Sequence, residues 1–292
     1  MALKRSSDSS EASEDGAAGI LYLVGTPIGN LEDMTMRAIH TLQQVDFIAA
    51  EDTRHTGRLL QHFQIGTPQI SYHDHNSQSR IPELVAKLQA GQAIALVTDA
   101  GMPAISDPGY ELVQACVQAN IRVIPIPGVT AAIAAVCASG LDPQRFVFEG
   151  FLPTDNQARQ SRLKAIQQEP RTAILYEAPH RLIRTLEDLQ NALESTRPIA
   201  IARELTKLHE EFWRGTLADA IAYFTNRPPK GEFTLVLAGS PPPTTPIWTE
   251  EKLLSELQSL LDEGISRSEA SRQLAALTNL PRRQIYQLAL TI

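Results

Sequence analysis

Three segments rich in glycine and proline are where this chain could hold a small molecule. Segment 25–30 (GTPIGN) follows the apolar run 20–24, and 98–109 (TDAGMPAISDPG) closes the run 93–98. The third, 127–132 (PGVTAA), leads from the run 122–126 into an alanine-rich stretch. Small residues let a ligand approach backbone amides and carbonyls closely, and prolines fix a loop before the ligand arrives. The middle segment packs two glycines, two prolines and two aspartates into twelve residues, more than a turn needs. The third offers the unpaired amides and partial positive charge of a helix N-terminus, suited to a carboxylate or an adenine edge. None is a phosphate loop or a dinucleotide fingerprint, because the Gly-Lys-Ser/Thr ending and the G-x-G-x-x-G spacing are both missing.

Ionisable side chains cluster after other apolar runs. Glu51-Asp52-Thr53-Arg54 and Tyr72-His73-Asp74-His75-Asn76 could contact substrate or transfer a proton, and a solvated loop would explain them as well. His73 and His75 have metal-ligand spacing but no evident third ligand, so no metal is expected. Segments 176–181 (YEAPHR), 203–207 (RELTK) and 230–234 (KGEFT) also bring charge to strand ends. Arg159, Arg162 and Lys164 form either a phosphate-binding strip or an ordinary exposed helix face.

These segments need elements to hold them. Runs 20–24 (ILYLV), 46–50 (DFIAA), 93–98 (AIALVT) and 122–126 (RVIPI) read as buried strands, while 34–44, 80–90 and 110–119 carry apolar residues at helical spacing. That alternation predicts a mainly parallel sheet with ligand loops at its carboxyl edge. A second series alternates likewise: 146–153 (FVFEGFLP), a polar helix, 173–176 (AILY), a helix from His180, 198–202 (PIAIA) and 232–238 (EFTLVLA). The expected fold is α/β, with two α/β domains, 19–128 and 129–240, and a cleft between them. Residues 1–18 are expected as a disordered tail rather than an export signal, and 241–247 as a proline-rich linker. Residues 248–292 are expected as a helical, helix-turn-helix-like extension or a helical lid. Their cues are a stripe of Leu253, Leu254, Leu257, Leu260 and Leu261, capping-box spacing at Ser266 and Glu269, and Pro281 opening a last helix.

Composition bounds the function. The chain has 292 residues, 43% of them hydrophobic, enough for two packed cores. Twenty-six basic against thirty-three acidic residues give a net charge of −7, so any contact with a polyanion must be confined to a patch. Cys116 and Cys137 have no paired spacing, which argues against a disulfide framework or a zinc site and for a reducing cytoplasm. The longest apolar run, 129–141, is too short to span a bilayer.

With these residues in view, the chain resembles the tetrapyrrole-methylase superfamily. Within it, the chain is similar to the bacterial family of 16S ribosomal RNA cytidine 2′-O-methyltransferases, ribosomal RNA small subunit methyltransferase I. The matching segments are LYLVGTPIGNLEDMT, AEDTRHTGRLL, DAGMPAISDPGYELV, PIPGVTAA, FEGFLP, LYEAPHRL, RELTKLHEEFWRG and KGEFTLVL, in one order over about 20–240. The resemblance implies S-adenosylmethionine in the cleft, 16S rRNA within the small ribosomal subunit as substrate, a homodimer and no membrane. It implies cofactor contacts at Pro27, Asp99, Gly101, Pro103, Ala104, Ile105, Ser106, Thr130, Ala131, Tyr176, Glu232 and Thr234. Asp52, Arg54 and His73 are then expected at the chemistry, with a carboxylate or histidine taking the hydroxyl proton. Glu51, His75, Arg159, Arg162 and Lys230 are expected on the acceptor side. A ribose 2′-oxygen would attack the sulfonium methyl, so alignment and a proton acceptor would supply the rate. Two rival readings are a methyltransferase for a tetrapyrrole or protein side chain, and a non-catalytic RNA-binding protein. AEDTR, SDPG and the helical tail together argue against the first, and the three ligand loops against the second.

Overall fold

The computed structural model describes residues 19–241, 248–278 and 280–292. The expectations for 1–18 and for most of the linker, 242–247, lie outside the described residues. The chain divides into two compact units, one ending at Ser240 and one beginning at Pro241.

The larger unit begins with β1 (Ile20–Val24), α1 (Met36–Gln44), β2 (Phe47–Ala50), α2 (Thr53–His62), β3 (Gln69–Ser71), α3 (Ser77–Gln89), β4 (Ile94–Val97), α4 (Tyr110–Gln118), β5 (Arg122–Ile126) and α5 (Ala131–Ser139). Its strands form an all-parallel sheet in the order β3-β2-β4-β1-β5. β4 is apolar and buried at all four positions, as a central strand covered on both faces must be. Alternate strand residues feed the two faces: Ile48, Ala50, Ala95 and Val97 meet Leu42 and Leu60, whereas Leu21, Ala49 and Leu96 meet Leu84 and Leu112. The helix read at 34–44 begins two residues later, because the Thr35 hydroxyl caps it by accepting the Ala38 N–H at 3.1 Å. The helix read at 80–90 begins earlier, at Ser77.

β1 and β4 are neighbours whose connections leave in opposite directions, to β2 on one side and β5 on the other. Such a switch point is where an open α/β sheet takes its ligands. The two loops there are stapled by reciprocal backbone bonds, Thr26 N–H to Gly101 O at 2.9 Å and Gly101 N–H to Thr26 O at 3.1 Å. The buried Thr26 hydroxyl adds a bond to Thr98 O at 3.0 Å.

The second half of this unit holds β6 (Phe146–Phe151), α6 (Asn156–Gln168), β7 (Thr172–Glu177), α7 (Leu182–Ala192), β8 (Pro198–Arg203), β9 (Glu211–Thr216), α8 (Leu217–Thr225) and β10 (Phe233–Leu237). The sheet order is β6-β7-β10-β8-β9, and of its pairs β6–β7 is parallel and the others antiparallel. β9 and α8 are absent from the alternating pattern read from sequence, because β9 follows β8 directly with no helix between. α8 starts at a reciprocal capping box between Thr216 and Asp219. α5 lays Ala132, Ala135 and Val136 on Ile174, Ala200, Ala202 and Val236 of this second sheet, so the chain leaves one sheet and packs at once on the other.

The smaller unit packs α9 (Glu250–Asp262), α10 (Arg267–Thr278) and α11 (Arg282–Ala289) around Leu253, Leu257, Ala270, Leu274, Ile285 and Ala289. The expected stripe narrows, since Leu254 and Leu261 are only partly covered. Ser266 accepts the Glu269 N–H at 3.3 Å, but the Glu269 carboxylate turns to Arg272 at 2.6 Å instead of closing the box. Among the described residues no helix is long and apolar enough to cross a membrane.

Candidate active site

A cavity of about 350 Å³ lies between the two sheets of the larger unit. The loop after β4 supplies Ala100, Gly101, Met102, Ile105, Ser106 and Asp107, and the start of α5 supplies Thr130 and Ala131. The second sheet contributes Phe151, Tyr176, Glu177, Ala202, Phe233 and Thr234, with Leu205 in the turn after β8 and Glu232 at the entrance to β10. The size and the mostly apolar wall suit a small organic ligand fixed by a few polar groups. The Tyr176 hydroxyl accepts the Ala132 N–H at 3.2 Å, satisfying one first-turn amide of α5, and its ring packs edge-on against Phe148 and Phe151. Burial pushes its phenol up. Glu177 is buried and accepts from the Ala178 N–H at 2.8 Å and the Thr185 hydroxyl at 2.5 Å, with Arg181 at 3.3 Å.

The loop after β4 holds Ala104 and Ser106 at φ 69° and 63°, in the left-handed region that side chains avoid. Each such residue costs about 1–3 kcal/mol, a cost the packing around it must offset. The shape of the loop is therefore imposed by its surroundings, and Ile105 between them is left half exposed at the cavity.

A second cavity of about 470 Å³ shares Ile28, Ala100 and Glu232 with the first. Its other walls include Pro27, Gly29 and Leu31 after β1, His55 and Arg58 on α2, Asp99 after β4, and Lys207. Carboxyl groups gather nearby at the sheet edge: Glu51 accepts the Asp99 N–H at 3.2 Å. Burial, then the charges of Glu51, Asp99 and Asp74, push Asp107 up to about 7. Burial likewise raises Glu51.

The expected cofactor positions divide between the cavities. Gly101, Ile105, Ser106, Thr130, Ala131, Tyr176, Glu232 and Thr234 line the first, whereas Pro27 and Asp99 line the second. Pro103 and Ala104 shape the loop without lining either.

The acceptor-side residues meet different placements, and the expectation for Arg159 needs correction. Asp52 caps α2, accepting N–H bonds from Arg54 at 2.8 Å and His55 at 3.4 Å. The Arg54 guanidinium, at 2.8 Å, holds this carboxyl well below the usual range, so Asp52 is a poor proton acceptor. Arg54 gives its Nε and Nη2 to that cap and is 88% exposed. His73 lies 3.2 Å from the Asn76 amide, and neither it nor His75 lines either cavity. Glu51 lines neither cavity and accepts the Asp99 N–H beside the second. Arg159 is 2% exposed and donates to Asp188 at 2.7 Å and Thr185 at 2.8 Å, so it belongs to the core and not to a phosphate strip. Arg162 is exposed and pairs with Glu149 at 2.6 Å. Lys230 lines a separate small cavity with Arg203, Tyr223 and Arg227.

Ile28 and Met102 fall in the segments read as ligand loops, whereas sequence reading missed Phe151, Ala202 and Leu205 as wall residues, because an apolar cavity wall and an apolar core look alike in sequence. His55 and Arg58 were legible in principle, lying three and six residues beyond Asp52 in a segment already marked as charged. Among the described residues no group of three or more His, Cys, Asp or Glu side chains is placed to hold a metal ion.

Comparison with known proteins agrees with this architecture. Residues 20–221 match the family model of tetrapyrrole (corrin/porphyrin) methylases. A Synechocystis sp. protein named ribosomal RNA small subunit methyltransferase I is 67% identical, covering 94% of this chain and 98% of the relative. Proteins of the same name from Halalkalibacterium halodurans and Haemophilus influenzae are 47% and 45% identical, over 92% and 93% of this chain and 94% and 96% of theirs. Among solved structures, a uroporphyrin-III-C-methyltransferase from Thermus thermophilus matches with a TM-score of 0.54 at 22% identity, covering 75% of this chain and 94% of that one. Another from the same organism, complexed with S-adenyl homocysteine, matches at 0.55 with 16% identity over 75% of this chain and 97% of that one.

Proposed function

The chain belongs to the ribosomal RNA small subunit methyltransferase I family of the tetrapyrrole methylases, and on that premise we propose that it methylates the ribose 2′-hydroxyl of a cytidine in the decoding region of 16S rRNA, using S-adenosylmethionine. The observation that carries this reading is the pair of cavities meeting at the sheet switch point, one fit for a cofactor and one for an acceptor. When bound, the cofactor supplies an activated methyl group on a sulfonium.

The residues present fit that group. The strained loop 101–107 offers backbone and small side chains, the start of α5 offers helix amides, and Tyr176 with Phe151 offers aromatic surface to a flat base. On the acceptor side, α2 puts Arg58 and His55 in the wall, whereas Lys207 there is already paired with Glu204 and Glu232. A phosphodiester entering there takes charge-assisted bonds from Arg58, and the target ribose is directed toward the shared wall. Fixing both reactants across one wall supplies the alignment that methyl transfer needs. The reading includes action on the small subunit, a homodimer and a cytoplasmic location, all implied by the resemblance.

The test is incubation of the protein with methyl-labelled cofactor and undermethylated small subunits. Label is expected in the RNA. Label in ribosomal protein, or only in an added tetrapyrrole, would overturn the substrate. Failure to bind the cofactor in calorimetry would return the chain to the non-catalytic RNA-binding reading.

A further inference from the structure

We propose that Glu232 takes the proton from the acceptor hydroxyl and that Lys207 holds its carboxylate in position. The inference rests on the two-cavity reading above. A methyl group passing from a ligand in one cavity to a ligand in the other must cross where the cavities meet. Three residues line both, Ile28, Ala100 and Glu232, and Glu232 alone among them is ionisable.

The local chain is built around the Glu204 carboxylate, from which Lys207 reaches the Glu232 side chain, itself 77% exposed. Glu232 is tied to Glu204 twice, its N–H donating to Glu204 Oε1 at 2.9 Å and its carbonyl accepting the Glu204 N–H at 3.0 Å. Lys207 Nζ donates to Glu204 Oε1 and to Glu232 Oε2, both at 2.9 Å. To bring the ammonium there, the turn after β8 places Glu204 and Thr206 at φ 50° and 66°, two left-handed non-glycine residues within three positions. Neighbouring glycines make the room: a Cβ at Gly231 would lie 2.4 Å from the Glu204 carboxyl carbon, and one at Gly29 would lie 2.3 Å from Lys207 Cγ. Strain of this kind persists where a site needs a fixed geometry.

The other carboxylates nearby are differently engaged. Asp52 is a helix cap, and Glu177 accepts from Ala178 and Thr185 and pairs with Arg181. Asp107 reaches only the first cavity and Asp99 only the second. Glu232 Oε2 is held by Lys207, and among the described residues Oε1 has no hydrogen-bond donor, so a hydroxyl proton has lone pairs to meet. In the step, the ribose oxygen forms its bond to the methyl carbon as the carbon–sulfur bond breaks and that electron pair stays on sulfur. The hydroxyl proton passes to Glu232. A sulfonium and a carboxylate become a neutral thioether and a carboxylic acid, and charge balances.

Glu232→Gln keeps the size of the side chain and an oxygen for Lys207. Single-turnover methylation should fall about 100-fold or more, the usual weight of a general base, while cofactor affinity by calorimetry and rRNA affinity by filter binding stay within about threefold. Glu232→Asp keeps a displaced carboxylate and should retain an intermediate rate. Lys207→Ala should lower kcat about tenfold with KM for rRNA unchanged, and Lys207→Arg should recover part of the loss. Wild-type rate in Glu232→Gln overturns the proposal while leaving the methyltransferase reading intact. Cofactor affinity that falls in step with the rate also overturns it, making Glu232 a cofactor ligand.

Discussion

Replacing Arg159 with Met separates a core role from an RNA-binding one. Its guanidinium donates to Asp188 at 2.7 Å, to the Thr185 hydroxyl at 2.8 Å and to Pro153 O at 3.4 Å, and Thr185 donates onward to Glu177 in the cavity wall. Met fills the space of the stem but leaves Asp188 and Pro153 O without this donor. Breaking a buried pair from one side costs about 3–5 kcal/mol. Asp188 keeps 24% side-chain exposure and a second arginine, Arg184, at 3.9 Å, which lowers the expectation to about 2–4 kcal/mol. For a unit of this size each kcal/mol moves the midpoint by about 2–4 °C, so the melting temperature should fall by roughly 5–15 °C. Thermal unfolding of the full chain measures this, alongside methylation kinetics at a temperature where the variant is folded. KM for rRNA should be unchanged there. An unaltered melting temperature with a raised KM would mean that the guanidinium faces phosphate, and the core assignment would be wrong.

Three further outcomes follow from the same geometry. Asp107 is raised from the ordinary 3.8 to about 7, so the folded state holds its proton more tightly and the stability this brings is lost as pH rises through that interval. Asp107→Asn should therefore match wild type near about pH 4 and exceed it by about 1–2 kcal/mol near about pH 8 in urea unfolding, the full shift being discounted for partial solvent access. Asp52→Asn should lower the melting temperature through its weaker cap and show no recovery of rate at alkaline pH, because Asp52 is held ionised at the head of α2; alkaline recovery would restore it as the base. Deleting the residues after Pro246 should leave cofactor affinity unchanged and reduce rRNA methylation, through loss of Arg267, Arg272, Arg282 and Arg283; normal methylation would reduce the helical unit to an appendage.

The β-α alternation of the first half was legible because its strands are short, apolar and buried on both faces, as 94–97 is, and because Gly and Pro mark each strand end. The ligand loops were legible for the same reason. Periodicity said nothing of sheet direction in the second half, where β8 returns directly into β9 and most pairs are antiparallel. At the site, charge was visible but its engagement was not. Asp52 and Arg54 read as site residues, and only the fold shows that they pair at the head of α2, while Arg159 read as surface until its burial was known. Lys207 and Glu232 stand 25 residues apart, and only the fold brings them together at 2.9 Å.

The central claim is that the methyl group goes to a ribose oxygen of small-subunit RNA. Nuclease digestion of 16S rRNA after reaction with isotopically labelled cofactor, followed by mass spectrometry of the nucleosides, tests it most directly. The expected result is one labelled cytidine in the decoding region with the added mass on the ribose fragment. Label on a base fragment, or on no nucleoside while the cofactor is consumed, would contradict the account.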